Sequence, residues 1–232
     1  MGNKRSKRYE KGAKLVEEDK LYPLAEAVAL VKSLPAPKFD ETVTISMKLG
    51  VNPKQSDQMV RGTCPLPHGS GKDVKVLVFA NGEAATAAKN AGADFVGMDE
   101  MIKKVQGGFM EFDVVVATPD AMAEVRKLGR QLGPRGLMPN PKTGTVTDDT
   151  AEAVKAVKAG RVDFKLDKNG NISVPVGKVS FDEQKLLENT EAALEAINGA
   201  KPATAKGIYL LSGGISATMG AGVKVLLTPY QA

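Results

Sequence analysis

The sequence holds one cysteine, one histidine and no tryptophan, and aromatic residues fill only 5% of its 232 positions. Cys64 has no second thiol for an internal disulfide, and one histidine, His68, leaves no nitrogen and sulfur set for a zinc site. No paired Ser, Cys or carboxylate motif accompanies His68, so it reads as a domain-junction residue rather than a catalyst. Cys64, beside Pro65, reads as a small apolar filler. No apolar run approaches the roughly 18 residues of a bilayer span, and the leader MGNKRSKRYEKGAK is basic without the apolar core of a secretory signal. A soluble, intracellular protein is expected. With 42% apolar and 25% charged residues, disorder and collagen-like repeats are excluded, and the length suits one large domain or two small ones.

What is present divides into two textures. After the leader, Leu24, Val28 and Val31 recur at helical spacing behind Pro23, which suits an early helical position. From Thr42 to Val51 the pattern alternates, Val43, Ile45, Met47, Leu49 and Val51 against Thr42, Thr44, Ser46 and Lys48: a half-exposed strand with a hydroxyl-rich, lysine-bearing outer face. Beyond Gly160 alternation returns in Val162, Phe164 and Leu166. Asn169-Gly170 signals a hairpin whose returning strand carries Ile172, Val174 and Val176. A helix from Phe181 to Ile197 then leads to short strands at Ile208 to Leu211 and Val223 to Leu227.

The middle differs. Val74 to Ala80 and Asp113 to Ala117 are continuous apolar runs, interleaved with helical stretches at Glu83 to Asn90, Asp99 to Val105, Ala121 to Leu132 and Asp149 to Ala159, which reads as a small parallel α/β unit. Residues 132–144, with three glycines and three prolines, form an irregular loop carrying Lys142 and Arg135. The expected fold is therefore α/β and α+β in two domains. A discontinuous α+β domain takes residues 1–67 and 160–232, and an inserted α/β domain takes residues 68–159.

Charge follows this division. Residues 1–67 carry 12 basic and 8 acidic side chains, residues 68–159 carry 12 of each, and residues 160–232 carry 8 and 7. The whole excess of +5 thus falls to the outer domain, which points to a polyanion partner. Lys4, Arg5, Lys7, Arg8, Lys11 and Lys14 crowd the leader around Tyr9, either as a cation cluster with one stacking ring or as a frayed tail. Gly2 followed by Ser6 also fits the short N-myristoylation pattern. His68 to Asp73 fails as a phosphate loop because Leu66 and Asp73 stand where glycine and a metal-ligating hydroxyl are required. Gly213-Gly214 and Gly220-Ala221-Gly222 precede a strand instead of opening a helix, which fits turns rather than a dinucleotide site.

Several blocks together carry a resemblance that spans nearly the whole chain: Lys7-Arg8-Tyr9, Phe39-Asp40-Glu41-Thr42-Val43, Arg61-Gly62-Thr63, Leu66-Pro67-His68-Gly69, the loop from Leu132 to Thr145, Pro175-Val176-Gly177, Lys206-Gly207 and Thr218-Met219-Gly220. In these the sequence resembles the bacterial-type ribosomal protein L-one family of the large subunit. The resemblance implies a discontinuous rRNA-binding domain with a Rossmann-like three-layer domain inserted through a two-strand hinge, and a non-enzymatic, cytoplasmic protein without cofactor or membrane partner. Its implied partners are 23S rRNA at the mobile stalk, the E-site tRNA whose deacylated form it helps release, and the leader of its own mRNA, whose translation it represses. Carried over to this sequence, the RNA-binding residues are Lys7, Arg8, Tyr9, Lys38, Phe39, Thr42, Lys48, Ser212, Thr218, Met219 and Gly220. Their chemistry suits folded RNA: hydroxyls for ribose, lysines for phosphate, Gly220 for close backbone approach and Met219 for an uncharged apolar contact. Two other readings stand beside this one, a small-molecule enzyme on the middle α/β domain and a DNA-binding regulator.

Overall fold

A computed structural model describes residues 5–230, so Gly2 and Lys4 lie outside the described residues. In chain order the elements begin with α1 (Lys7–Ala13), α2 (Leu24–Ser33), β1 (Thr42–Leu49) and β2 (Arg61–Pro65). Next come β3 (Val76–Phe79), α3 (Gly82–Asn90), β4 (Phe95–Val96), α4 (Asp99–Gln106), β5 (Val114–Ala117), α5 (Met122–Val125), α6 (Gly129–Leu132) and α7 (Thr150–Lys158). The chain ends with β6 (Arg161–Lys165), β7 (Asn171–Lys178), α8 (Glu183–Gly199), β8 (Leu210–Ala217) and β9 (Val223–Val225). The fold is mixed α/β with three sheets, and it divides into two compact units, residues 1–71 with 162–232, and residues 72–161.

In the outer unit a four-stranded sheet runs β7-β1-β8-β9. β1 is antiparallel to both neighbours, with Ser46 opposite Ser173 on one side and Gly214 on the other. The alternation of β1 decides its seating. Val43, Ile45, Met47 and Leu49 are buried in a core shared with Ala27, Val28 and Val31 of α2 and with Leu186, Leu194 and Ile197 of α8. Thr44, Ser46 and Lys48 take the other face. Pro175 in β7 has no N–H to give a ladder, and it is tolerated because β7 is the edge strand.

The middle unit is a parallel sheet in the order β4-β3-β5 with apolar clusters on both faces. Leu77 and Phe79 of β3 pack toward α4, α5 and α6, while Val76 and Val78 pack toward α3 and α7, which explains why the run has no polar alternation.

Three local expectations are corrected, and one that stood open is decided. The reversal at Asn169-Gly170 exists, held by the Asp167 carboxylate accepting the N–H groups of Asn169 (2.8 Å) and Asn171 (2.7 Å), but its flanks do not form a hairpin ladder. β6 pairs with β2 and β7 with β1, because turn chemistry fixes a reversal while burial picks the partner. Gly213 and Gly214 lie inside β8 rather than in a turn. A side chain at Gly213 would sit 3.0 Å from Leu227 Cδ1 and 3.3 Å from Met47 Cγ, so close packing on the core face requires its absence. The single helix expected from Ala121 to Leu132 is α5 and α6 separated by a 3₁₀ turn at Arg126–Leu128. Finally, part of the leader is ordered: α1 is capped by the Ser6 hydroxyl, which accepts the Tyr9 N–H at 3.3 Å.

The segment containing His68 is fastened to α8. The His68 N–H donates to Asn189 Oδ1 (3.0 Å), the imidazole meets Glu188 Oε2 at 2.5 Å, and this bond holds the Glu188 carboxyl below its ordinary pKa. Cys64 is fully buried, and burial pushes its thiol from 9.0 up to about 11. Thiol reagents are therefore expected to modify Cys64 only on unfolding. Because the unfolded thiol ionises first, stability falls as pH rises from 9.0 toward 11, a loss that a Cys64→Ala variant lacks in urea titrations at each pH.

Candidate nucleic-acid interface

The outer face of the four-stranded sheet carries an unusual composition. None of the residues in β1, β7, β8 or β9 is Asp or Glu, while Lys48, Lys178 and Lys224 are among them. Register aligns the exposed positions into rows across the strands: Pro175, Thr44 and Ser216; Ser173, Ser46, Gly214 and Lys224; Asn171, Lys48 and Ser212. Ser46 and Ser173 share a hydrogen bond of 2.9 Å between their hydroxyls. The result is a sheet face of hydroxyls and ammonium groups with small side chains, shallow enough for a ribose-phosphate chain to approach.

At one end of this face the two ends of the chain are tied together. The Thr218 hydroxyl accepts the Thr42 N–H at 3.1 Å and donates to the Thr42 carbonyl at 3.2 Å. The Lys178 ammonium donates to the Thr42 hydroxyl at 3.0 Å, leaving that hydroxyl its own proton to give away. The Met219 N–H donates to the buried carboxylate of Glu41 at 2.6 Å. Arg8 bridges both, its guanidinium donating to the carbonyls of Pro35 (2.8 Å) and Met219 (2.7 Å). Around this knot Phe39 and Met219 stand 53% and 54% exposed, two apolar side chains presented to solvent beside charged neighbours.

The residues singled out from the sequence therefore fall into several groups. Thr42, Thr218 and Met219 are joined directly, Lys48 and Ser212 are opposite one another in register, and Lys38 and Phe39 occupy the bend that precedes β1. That bend is pinned by the Asp40 carboxylate, which accepts the Ser180 N–H and hydroxyl at 3.2 and 2.7 Å. Gly220 closes the turn after β8, its N–H donating to the Ala217 carbonyl at 3.1 Å. On α1, Lys7 is exposed, Arg8 reaches the knot, and the Tyr9 ring is covered by the Arg5 guanidinium 4.8 Å from its centroid. Sequence reasoning passed over Ser173, Ser216 and Lys178, whose placement depends on the pairing of β7 and β8 with β1. Ser173 was within reach, since it alternates with Ile172 and Val174.

Residues 30–221 match the ribosomal protein L1p/L10e family. The large ribosomal subunit protein uL1 of Kosmotoga olearia is 57% identical over 222 residues, covering 96% of both chains, and that of Bifidobacterium longum subsp. infantis is likewise 57% identical over 96% of both. The chain belongs to the ribosomal protein L1p/L10e family. Membership makes it a ribosomal protein, a structural component of a ribonucleoprotein and not an enzyme. The L1p/L10e assignment removes the small-molecule enzyme on the middle α/β domain as an alternative. It also covers the β1 and β8 segments that form the sheet face and most of the chain that makes the knot. No helix among the described residues is long and apolar enough to cross a membrane.

The Thr218 hydroxyl thus has an internal duty in the L1p/L10e chain. Thr218→Ala leaves both backbone groups of Thr42 without their partner and is expected to lower folding stability by about 1 kcal/mol in urea titration, while Thr218→Ser restores it.

Proposed function

We propose that this protein is a constituent of the large ribosomal subunit whose outer domain, residues 1–67 with 160–232, grips 23S rRNA at the mobile stalk beside the E site. Movement of the inserted, Rossmann-like middle unit assists release of deacylated tRNA. The same surface binds the leader of the protein's own mRNA and represses its translation. The protein works in the cytoplasm, on the ribosome.

The observation that carries this reading is the acid-free sheet face. Four adjacent strands present hydroxyls in rows with lysines among them and not one carboxylate, a composition that suits phosphate and ribose and repels little. On it, Lys48 and Lys38 neutralise phosphates, Thr42 and Ser212 meet 2′-hydroxyls, and Phe39 and Met219 lie against exposed bases. Lys7, Arg8 and Tyr9 support one edge, with Arg8 holding the Met219 turn in place, and Gly220 keeps that turn tight. Shape reading of this kind separates folded RNA from B-form duplex, whose grooves present different edges, so competition by duplex DNA distinguishes the DNA-binding alternative.

Filter binding of a 23S stalk fragment over a salt series tests the proposal. Lys48→Ala is expected to weaken binding and to lower the slope of log affinity against log salt by about 1, and duplex DNA at equal salt should compete poorly. Equal affinity for duplex DNA, or a slope unmoved by Lys48→Ala, contradicts it.

A further inference from the structure

β8 carries an irregularity that the face described above does not explain. Lys48 is opposite Ser212 and Leu49 is opposite Leu210, so Leu211 is the extra residue of a β-bulge. Bulges re-aim side chains, and this one turns a leucine outward: Leu211 is 50% exposed beside the hydroxyl of Ser212. Across from it Leu21 is 53% exposed. Between them the sheet opens, because the β8–β9 ladder stops at Gly213 opposite Val225, and the chain then turns away as the Leu226 N–H donates to the Tyr22 carbonyl at 2.8 Å. The opening is a cleft of about 310 Å³, walled by Leu21, Leu211 and Leu227, with Ser212 and Lys224 at its rim.

We propose that this cleft receives one unpaired nucleobase extruded from the bound RNA. The inference rests on the RNA-binding reading above and adds a base contact to it. Three features select this occupant. The cleft shares Ser212 and Lys224 with the hydroxyl-and-lysine rows, so a strand lying on the sheet face passes its mouth. Its lining holds no acidic residue and one lysine. Among the described residues, that lysine's one ion pair is a 3.7 Å contact between exposed groups with Asp19, weak enough for a phosphate to displace. The volume is at the small end of the roughly 300–1,000 Å³ of small-molecule sites, fitting a single planar ring system. Folded RNA is read through splayed, unstacked bases, which need an apolar slot with a polar rim, and in a chain with so few aromatic residues paired leucines provide the faces. The base enters between Leu21 and Leu211, its edge reaches the Ser212 hydroxyl, and Lys224 meets the adjoining phosphate.

The full-length protein and a 23S stalk fragment test this. Abasic sites are placed one at a time at the unpaired positions of the fragment, and affinity is measured for the wild type, for a Leu21→Ser, Leu211→Ser double variant, and for Lys48→Ala. The double variant is expected to bind intact RNA roughly tenfold more weakly, since a stacked base contributes on that scale. Both side chains are half exposed, so its thermal unfolding should match the wild type. One abasic position should cost the wild type a similar factor and cost the double variant nothing further. If the double variant binds every RNA as the wild type does while Lys48→Ala still weakens binding, the cleft takes no base and the RNA reading stands. If the wild type fails to bind the fragment, the RNA reading itself falls and this inference with it. As an independent readout, Leu211→Trp makes a single-tryptophan protein. RNA intact at the identified position should quench its emission, and RNA abasic there should not; equal quenching by both overturns the proposal.

Discussion

β1 is held on both edges by strands far away in sequence; Ser46 and Ser173, joined by a hydrogen bond, are 127 residues apart. The outer unit has no central sheet until the C-terminal third of the chain arrives. Register then leaves little freedom, because a slip by one residue would send Ile45 and Met47 to solvent and Ser46 and Lys48 into the core against α2 and α8. Burial of β1's apolar positions therefore fixes where every hydroxyl on the opposite face stands. The knot of Arg8, Glu41, Thr42, Thr218 and Met219 closes the same junction from its end through hydrogen bonds to main-chain groups, those of Arg8 and Glu41 charge-assisted.

That division of labour is how a chain poor in aromatic residues would present the proposed nucleic-acid surface. One face of the sheet is committed to packing. The other carries small polar side chains, such as Ser46 and Ser173, joined by a single hydroxyl–hydroxyl bond. Lysines mixed among them supply attraction, and the absence of carboxylates from all four strands avoids local repulsion. Apolar contact is confined to the margins, at Phe39 and Met219 by the knot and at Leu21 and Leu211 by the bulge.

Elements defined by local periodicity were legible in the sequence. The alternation of β1 predicted its start and its buried face while overrunning its end by two residues, and the apolar runs gave β3 and β5 within two residues. What failed were features set by distant partners. Asn169-Gly170 signals a reversal but carries no information about which strands lie beside β6 and β7. Gly213-Gly214 looks like a turn until Leu227 and Met47 are seen to need the space. In the candidate site, Thr42 and Thr218 were recognisable as hydroxyls, but the bond between them and its duty to the backbone were not. Leu211 gave no signal at all, since its exposure comes from a one-residue mismatch between β1 and β8.

Hydrogen exchange of the full-length protein with and without a 23S stalk fragment tests the central claim most directly, that the chain's two ends build one RNA-facing surface. The account predicts slowed exchange on binding in two distant stretches at once, the bend and strand from Lys38 to Lys48 and the segment from Ser212 to Gly220, with the backbone of residues 72–161 unchanged. Protection confined to the middle unit, or to one of the two stretches without the other, would contradict it.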